Sequence, residues 1–80
     1  MFYVYLLKGI KCPDHFYIGF TEALKARLRA RNAGDSTHAA TLAPWELVSY
    51  HAFNDKRKAQ ECEYYLKTGS GKAFASKRLW

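Results

Sequence analysis

Cysteine and acidic residues are both scarce in this chain. Two cysteines, Cys12 and Cys62, are too few for the disulfide framework of a secreted protein of this length, and they lack zinc-site spacing. The three histidines, His15, His38 and His51, lack metal-ligand spacing too. We therefore expect a protein of the reducing cytoplasm with no histidine or cysteine metal site.

Long apolar runs are also missing. After Met1 the chain enters "FYVYLL", a run of six apolar residues with no basic leader and no small-residue cleavage site. A membrane-spanning helix needs about 20 apolar residues. The sequence thus predicts a soluble, cytoplasmic protein, and its 80 residues predict a single domain over 1–80.

Basic residues, in contrast, are abundant. The chain has 13 lysines and arginines against 7 acidic residues, which gives a formal net charge of +6. Such a charge on a small surface favours phosphate-bearing partners, above all nucleic acid. Many small basic domains bind no nucleic acid, so the positions of the charges matter more than their number.

The first half of the chain reads as two strands and a helix. Aromatic and β-branched residues predict a strand over 1–9 and a second one over 15–20 that ends near Gly19, with a turn between them. Good helix formers follow from Thr21 to Asn32, and Thr21 is the expected cap. These elements give the order ββα.

The second half adds a strand and two helices. "WELVSYHAF" at 45–53 has strand composition, and Asn54 is the expected cap of a helix that closes at Gly69. Ser70 is the expected cap of a last short helix. The full order is ββαβαα, without repeats, and the fold class is α+β.

Helical spacing separates the basic residues of the first helix into two sets. At about 100° per residue, Arg27 and Arg31 fall within about 60° of Leu24 on the apolar side, whereas Lys25 and Arg29 fall on the other side. An arginine beside the core can hold its guanidinium at the end of a sheet, where it suits a phosphate. The alternative is an ordinary arginine whose stem covers apolar surface.

Glu63 is unusual because it shares a helix side with apolar residues. The apolar stripe of that helix consists of Ala59, Cys62 and Leu66. Glu61 points away from it. A carboxylate on a core-facing stripe needs a cation, a metal or donors. A metal-ligand role and a salt bridge to an arginine such as Arg27 both satisfy this need.

With these residues placed, the chain resembles the GIY-YIG nuclease superfamily, in particular its small single-domain bacterial members, which are similar to the nuclease module of the excision-repair incision subunit. The resemblance rests on "YVY" at 3–5, "YIG" at 17–19, "LKARL" at 24–28, "PWELVSY" at 44–50 and "AQECEYYLKTGSGK" at 59–72. It covers nearly all of the chain. It implies a three-stranded antiparallel sheet flanked by helices.

The resemblance also implies a function, that of an endonuclease that hydrolyses phosphodiester bonds of DNA with Mg²⁺ or Mn²⁺. Its metal-binding glutamate falls on Glu63 and its helix arginine on Arg27. Tyr17 or Tyr5 would activate the water, although both tyrosines could equally be packing residues. The expected nucleic-acid contacts are Lys8, Gly19, Arg31, Lys67 and Lys72.

Two positions depart from the family pattern. Tyr3 stands where the family has its first glycine, and Arg31 stands where it has a histidine. Arg31 cannot accept a proton, so an acid–base role is lost there, while a further phosphate contact is gained. The departures leave an inactive nucleic-acid-binding module as one alternative, and an RNA-binding protein that uses exposed tyrosines such as Tyr64 as another.

A small domain has little surface with which to read bases. We therefore expect selectivity for the structure of the DNA, such as a branch or a nick, and weak selectivity for its sequence.

Overall fold

Three antiparallel strands form one sheet, and the most apolar strand is in the middle. The computed structural model describes residues 1–11, 15–33 and 44–80. Strand β1 (Phe2–Gly9) lies between β2 (Phe16–Thr21) and β3 (Trp45–Phe53), so the strand order is β2-β1-β3. The apolar residues of β1 are buried on both of its faces, as a central strand covered on two sides requires.

Each face of the sheet is covered by helices. On one face, Tyr5 and Leu7 of β1 pack with Trp45 and with Leu24 and Leu28 of helix α1 (Leu24–Asn32). The predicted ββαβαα order and the three-stranded antiparallel sheet are thereby confirmed.

The other face carries helices α2 (Lys56–Leu66) and α3 (Gly69–Arg78). Val4 and Leu6 of β1 pack there against three buried residues of these helices, which are Ala59, Leu66 and Ala75. None of the helices in the described ranges is long and apolar enough to cross a membrane.

The start of α1 differs from the prediction. Thr21 belongs to β2, where it pairs with Tyr3, so the strand runs two residues beyond Gly19. Its Oγ1 accepts a hydrogen bond from the Ala23 N–H at 3.0 Å and so closes a turn instead of capping the helix. The N-cap position is Ala23, which makes no side-chain cap.

The caps of the other two helices are also shifted. Asp55, not Asn54, caps α2, because its Oδ1 accepts the Arg57 N–H at 2.9 Å. Thr68, not Ser70, caps α3 by accepting the Gly71 N–H at 3.1 Å, so Gly69 opens α3 rather than ending α2. In both cases two residues close in sequence have capping side chains, and residue type alone does not distinguish between them.

Two predicted segments lie outside the described residues. They are the turn that contains Pro13 and Asp14 and most of the loop before Pro44.

Gly19 provides space for the ring of Tyr5. The two residues are directly opposite each other in the β1–β2 pairing. A Cβ added at Gly19 would overlap the hydroxyl oxygen and Cζ of Tyr5 and would lie 2.9 Å from its Cε1. The glycine that ends the apolar run of "HFYIGF" is therefore needed for a close approach and not for a turn.

We predict that Gly19→Ala destabilises the protein by about 1–3 kcal/mol, since the Tyr5 ring must move against a packed core. The matched control is Gly69→Ala, where an added Cβ meets nothing within 4 Å. At that site alanine should be neutral or stabilising by up to about 1 kcal/mol. Urea unfolding of the three proteins measures the difference, and equal stability of the two variants would contradict the packing role of Gly19.

Candidate active site

Tyr5 is buried at the centre of the sheet. Its side chain is 1% exposed, and its ring stacks on that of Tyr17 with 6.2 Å between centroids and an interplanar angle of 25°. Its hydroxyl makes no hydrogen bond of ordinary geometry within the described ranges. The guanidinium of Arg31 nevertheless lies close enough to act on its ionisation.

Burial raises the pKa of Tyr5 above the ordinary value of 10.0. The nearby guanidinium of Arg31 opposes the rise, as does the charge of Arg27, while Tyr17 adds to it. Both arginines of the apolar side of α1 therefore act on the same phenol. Helical spacing predicted that both arginines lie on the apolar side of α1.

Tyr17 is held by Arg31. The Nη2 of Arg31 donates a hydrogen bond to the Tyr17 hydroxyl at 2.5 Å, and its Cζ lies 4.5 Å from the centre of the Tyr17 ring. Trp45 contacts the same ring, at 6.2 Å between centroids. A guanidinium on a phenol oxygen stabilises negative charge that develops there.

The end of α1 is tied to β3 by Asn32. Its Oδ1 accepts the Trp45 N–H at 2.6 Å, and its Nδ2 donates to the Trp45 carbonyl at 3.4 Å. The paired bonds hold the last turn of α1, which carries Arg31, over the rings of Tyr5, Tyr17 and Trp45. Asn32 was predicted only as the last residue of the helix, because its partner is distant in sequence.

A groove of about 610 Å³ lies along the outer edge of β2. Its lining comes from β2, from the junction between α2 and α3, and from α3. The lining residues are Phe16, Tyr17, Ile18, Lys67, Lys72 and Ser76, together with His15 and Trp80. Lys67 and Lys72 are both exposed and bring positive charge to it. The groove thus joins one of the two tyrosines to two of the predicted phosphate contacts.

Glu63 adjoins this groove through Lys67. Its carboxylate accepts a hydrogen bond from Lys67 Nζ at 3.0 Å, and its side chain is 25% exposed. The ion pair considered with Arg27 does not form, because α1 and α2 cover opposite faces of the sheet. An exposed pair one helical turn apart stabilises by only about 0.3–0.5 kcal/mol, so Lys67 is easily displaced.

Glu63 fits one kind of metal site. Within the described ranges, no group of three His, Cys, Asp or Glu side chains could enclose an ion. Mg²⁺, however, usually keeps several waters and is bound by one or two carboxylates together with substrate phosphates. A single partly exposed glutamate beside a basic groove suits such an ion and does not suit a closed structural site.

Lys8 does not lie beside Tyr5 and Arg31. Strand alternation places it on the face opposite Tyr5, where it lines a separate cavity with Glu46. Phe16 and Trp80, whose ring centroids are 4.5 Å apart, form a wall common to that cavity and the groove. No sequence pattern relates Trp80 to β2, so its contact with Phe16 could not be predicted.

Comparisons with known proteins find relatives over most of the chain. The profile of the GIY-YIG catalytic domain matches residues 1–77. A UPF0213 protein of Clostridium perfringens is 41% identical over 69 residues, which cover 84% of this chain and 71% of that protein. A UPF0213 protein of Staphylococcus haemolyticus is 37% identical over 70 residues, covering 85% and 82%.

We predict that Tyr5→Phe makes the protein less sensitive to alkali. Burial raises the pKa of Tyr5 in the folded state above its value in the unfolded chain. Its contribution to the free energy of unfolding is therefore constant below about pH 10 and is lost as pH rises further. Tyr5→Phe should be within about 1 kcal/mol of wild type at pH 7. Its stability should then decline less steeply between about pH 9 and pH 11.

Urea unfolding across that pH range measures both slopes. The other tyrosines are present in both proteins, so their contributions cancel in the comparison. Parallel slopes for wild type and Tyr5→Phe would show that the burial of Tyr5 does not govern its ionisation.

Proposed function

The chain belongs to the GIY-YIG family, and on this premise we propose that it is a DNA endonuclease that hydrolyses phosphodiester bonds with Mg²⁺ or Mn²⁺. The observation that carries the proposal is the contact of Arg31 with Tyr17, a phenol that also lines a groove with two lysines. Family membership supports a nuclease in general. The metal, the DNA substrate and the residue roles are the proposal.

Exposure favours Tyr17 over Tyr5 as the group that activates water. Tyr5 is 1% exposed and its pKa is raised by burial, so neither water nor substrate reaches it readily. Tyr17 is only partly buried and lines the groove. Its hydroxyl oxygen, which accepts a hydrogen bond from Arg31, can accept a second one from a water molecule and so orient it. It can take up the proton of that water only after the phenol has lost its own proton.

The cations would bind different parts of the DNA backbone. Arg27 and Arg31 lie on the α1 side of β2, whereas Lys67 and Lys72 lie on the α2–α3 side. A phosphate at the edge of β2 can therefore be approached from both faces of the sheet. Arg27 would bind a phosphate oxygen, and the lysines would hold the flanking backbone. Lys8, on the far side of the Phe16–Trp80 wall, would contact only DNA that extends past the groove.

Glu63 would hold the metal ion. When bound, the ion neutralises charge on the phosphate and on the leaving oxygen. Lys67 would leave the carboxylate and pair with a phosphate instead. Gly19 contributes indirectly, by giving the Tyr5 ring room to support Tyr17.

A nucleic-acid-binding module without turnover is the second candidate. Two observations favour it. Arg31 takes the place of a proton-accepting histidine, and Glu63 is neutralised by Lys67. Both candidates require DNA binding, and only the first requires Glu63 for cleavage.

We predict that Glu63→Gln lowers metal-dependent cleavage by about 100-fold or more, since the ion loses its protein carboxylate. DNA binding should persist or strengthen as one negative charge is removed. The measurement is cleavage of branched, nicked and linear DNA with Mg²⁺, with Mn²⁺ and with chelator. The matched control is Glu61→Gln, which removes the same charge from an exposed position on the same helix.

Thermal unfolding with Mn²⁺ gives a second readout. A bound ion raises the midpoint of the wild type and of Glu61→Gln by mass action, and Glu63→Gln should lose this rise. Equal Mn²⁺ stabilisation of all three folded proteins would contradict the metal-ligand role. DNA binding without cleavage in the wild type would establish the second candidate.

A further inference from the structure

A second cleft opens on the α1 face of the sheet, away from the groove at β2. Its volume is about 490 Å³, and it shares no lining residue with that groove. Its walls are two tyrosines from neighbouring strands, Tyr3 and Tyr50, and the first turns of α1 with Lys25 and Arg29. The catalytic proposal uses none of these four side chains.

The two tyrosines form an open aromatic surface. Tyr50 is 52% exposed, although large aromatic side chains usually bury most of their area. The ring of Tyr3 meets it edge to face, with 6.0 Å between centroids and an angle of 61°. This contact fixes the orientation of the Tyr50 ring and leaves part of its surface to solvent. An oriented, exposed phenol ring is a platform on which a nucleobase stacks.

The charges beside the platform suit a phosphate. Lys25 and Arg29 are both exposed and lie one helical turn apart on α1. Among the residues that the structure describes, Glu22 is the one acidic residue that lines the cleft, so the two cations are in excess there. A flat aromatic surface next to excess positive charge matches a nucleobase with its attached phosphate and does not match an apolar peptide.

The cleft is also at a suitable distance from the candidate active site. Tyr50 lies directly opposite Tyr5 in the β1–β3 pairing, and Tyr3 precedes Tyr5 by two residues on β1. Two residues of a strand span about 7 Å. Successive nucleotides of a stacked strand are about 3.4 Å apart. The β2 edge, where the cleaved phosphate is proposed, is two strand spacings or about 10 Å from β3, which carries Tyr50. A base on this platform would thus lie a few nucleotides from that phosphate.

We propose that the Tyr3–Tyr50 cleft binds an unpaired nucleobase of the substrate, while Lys25 and Arg29 bind its phosphate. A paired base in a duplex has no free face for Tyr50, so the cleft would favour DNA with an unpaired nucleotide within a few nucleotides of the cleaved bond. The inference rests on the proposed function in one respect, that the substrate is a nucleic acid. Tyr3, which forms one wall of the cleft, stands where the family pattern has a glycine.

The test is the affinity of the full chain for a fluorescently labelled single-stranded oligonucleotide and for the matching duplex, measured by anisotropy in chelator so that nothing is cut. Tyr50→Ala should weaken single-strand binding by about 10-fold, the effect of removing one base–aromatic stack. Tyr50→Phe keeps the ring and should bind within about twofold of wild type. Duplex binding should be unchanged in both variants.

The matched control is Phe74→Ala, which removes a 46% exposed aromatic ring from α3, outside the cleft. It should leave single-strand binding unchanged. A thermal melt of each variant verifies folding, and Arg29→Ala should reduce the slope of log affinity against log salt by about 0.7 for the single strand.

Equal single-strand affinity of Tyr50→Ala and wild type would overturn the inference, and so would an equal loss on single-stranded and duplex DNA. In either case wild-type DNA binding and cleavage would leave the proposed function intact. A wild-type protein that binds neither DNA form would overturn both.

Discussion

The contact between the ring of Tyr5 and the backbone of Gly19 determines the geometry of the whole α1 face. Because the ring lies over Gly19, β2 must present a residue without a side chain at that position of the pairing. Tyr17, two residues earlier on the same side of β2, is then placed against Tyr5. Arg31 reaches both phenols from α1. A side chain at Gly19 would separate the elements that form the candidate site.

A second constraint is the uneven distribution of charge. The arginines of α1 and the lysines of α2 and α3 approach β2 from opposite faces, and the carboxylate that accompanies them on α2, Glu63, is already paired with Lys67. Such a strip of positive charge is costly for an isolated protein, because like charges repel. A phosphate backbone relieves that repulsion. The edge of β2 is therefore better suited to a bound nucleic acid than to free solvent.

The sequence predicted the features that depend on local periodicity. An angle of about 100° per residue was enough to place Arg27 and Arg31 on the sheet side of α1. The two-sided apolar pattern of β1 was enough to make it a central strand. Strand alternation could also have shown that Lys8 and Tyr5, three residues apart, lie on opposite faces, and this was missed.

Features that depend on tertiary contacts were not predictable in the same way. Asn54 and Asp55 are both good caps, and their residue types alone do not show that Asp55 is the one used. The partner of Glu63 stayed open between a metal and an arginine, because the order of elements does not say which face each helix covers. The bond from Arg31 to Tyr17 and the wall formed by Trp80 join residues far apart in sequence, for which a single sequence carries no signal.

The central claim is that the Tyr17 hydroxyl, held by Arg31 at the groove, takes part in phosphodiester cleavage. Single-turnover cleavage by Tyr17→Phe, at saturating DNA and with Mg²⁺, tests it directly. Tyr64→Phe, which removes an exposed phenol from α2, is the control. The account predicts that Tyr17→Phe loses about 100-fold or more in rate while its affinity for DNA is retained, and that Tyr64→Phe cuts like wild type. A Tyr17→Phe protein that cuts within about twofold of the wild-type rate would contradict the account.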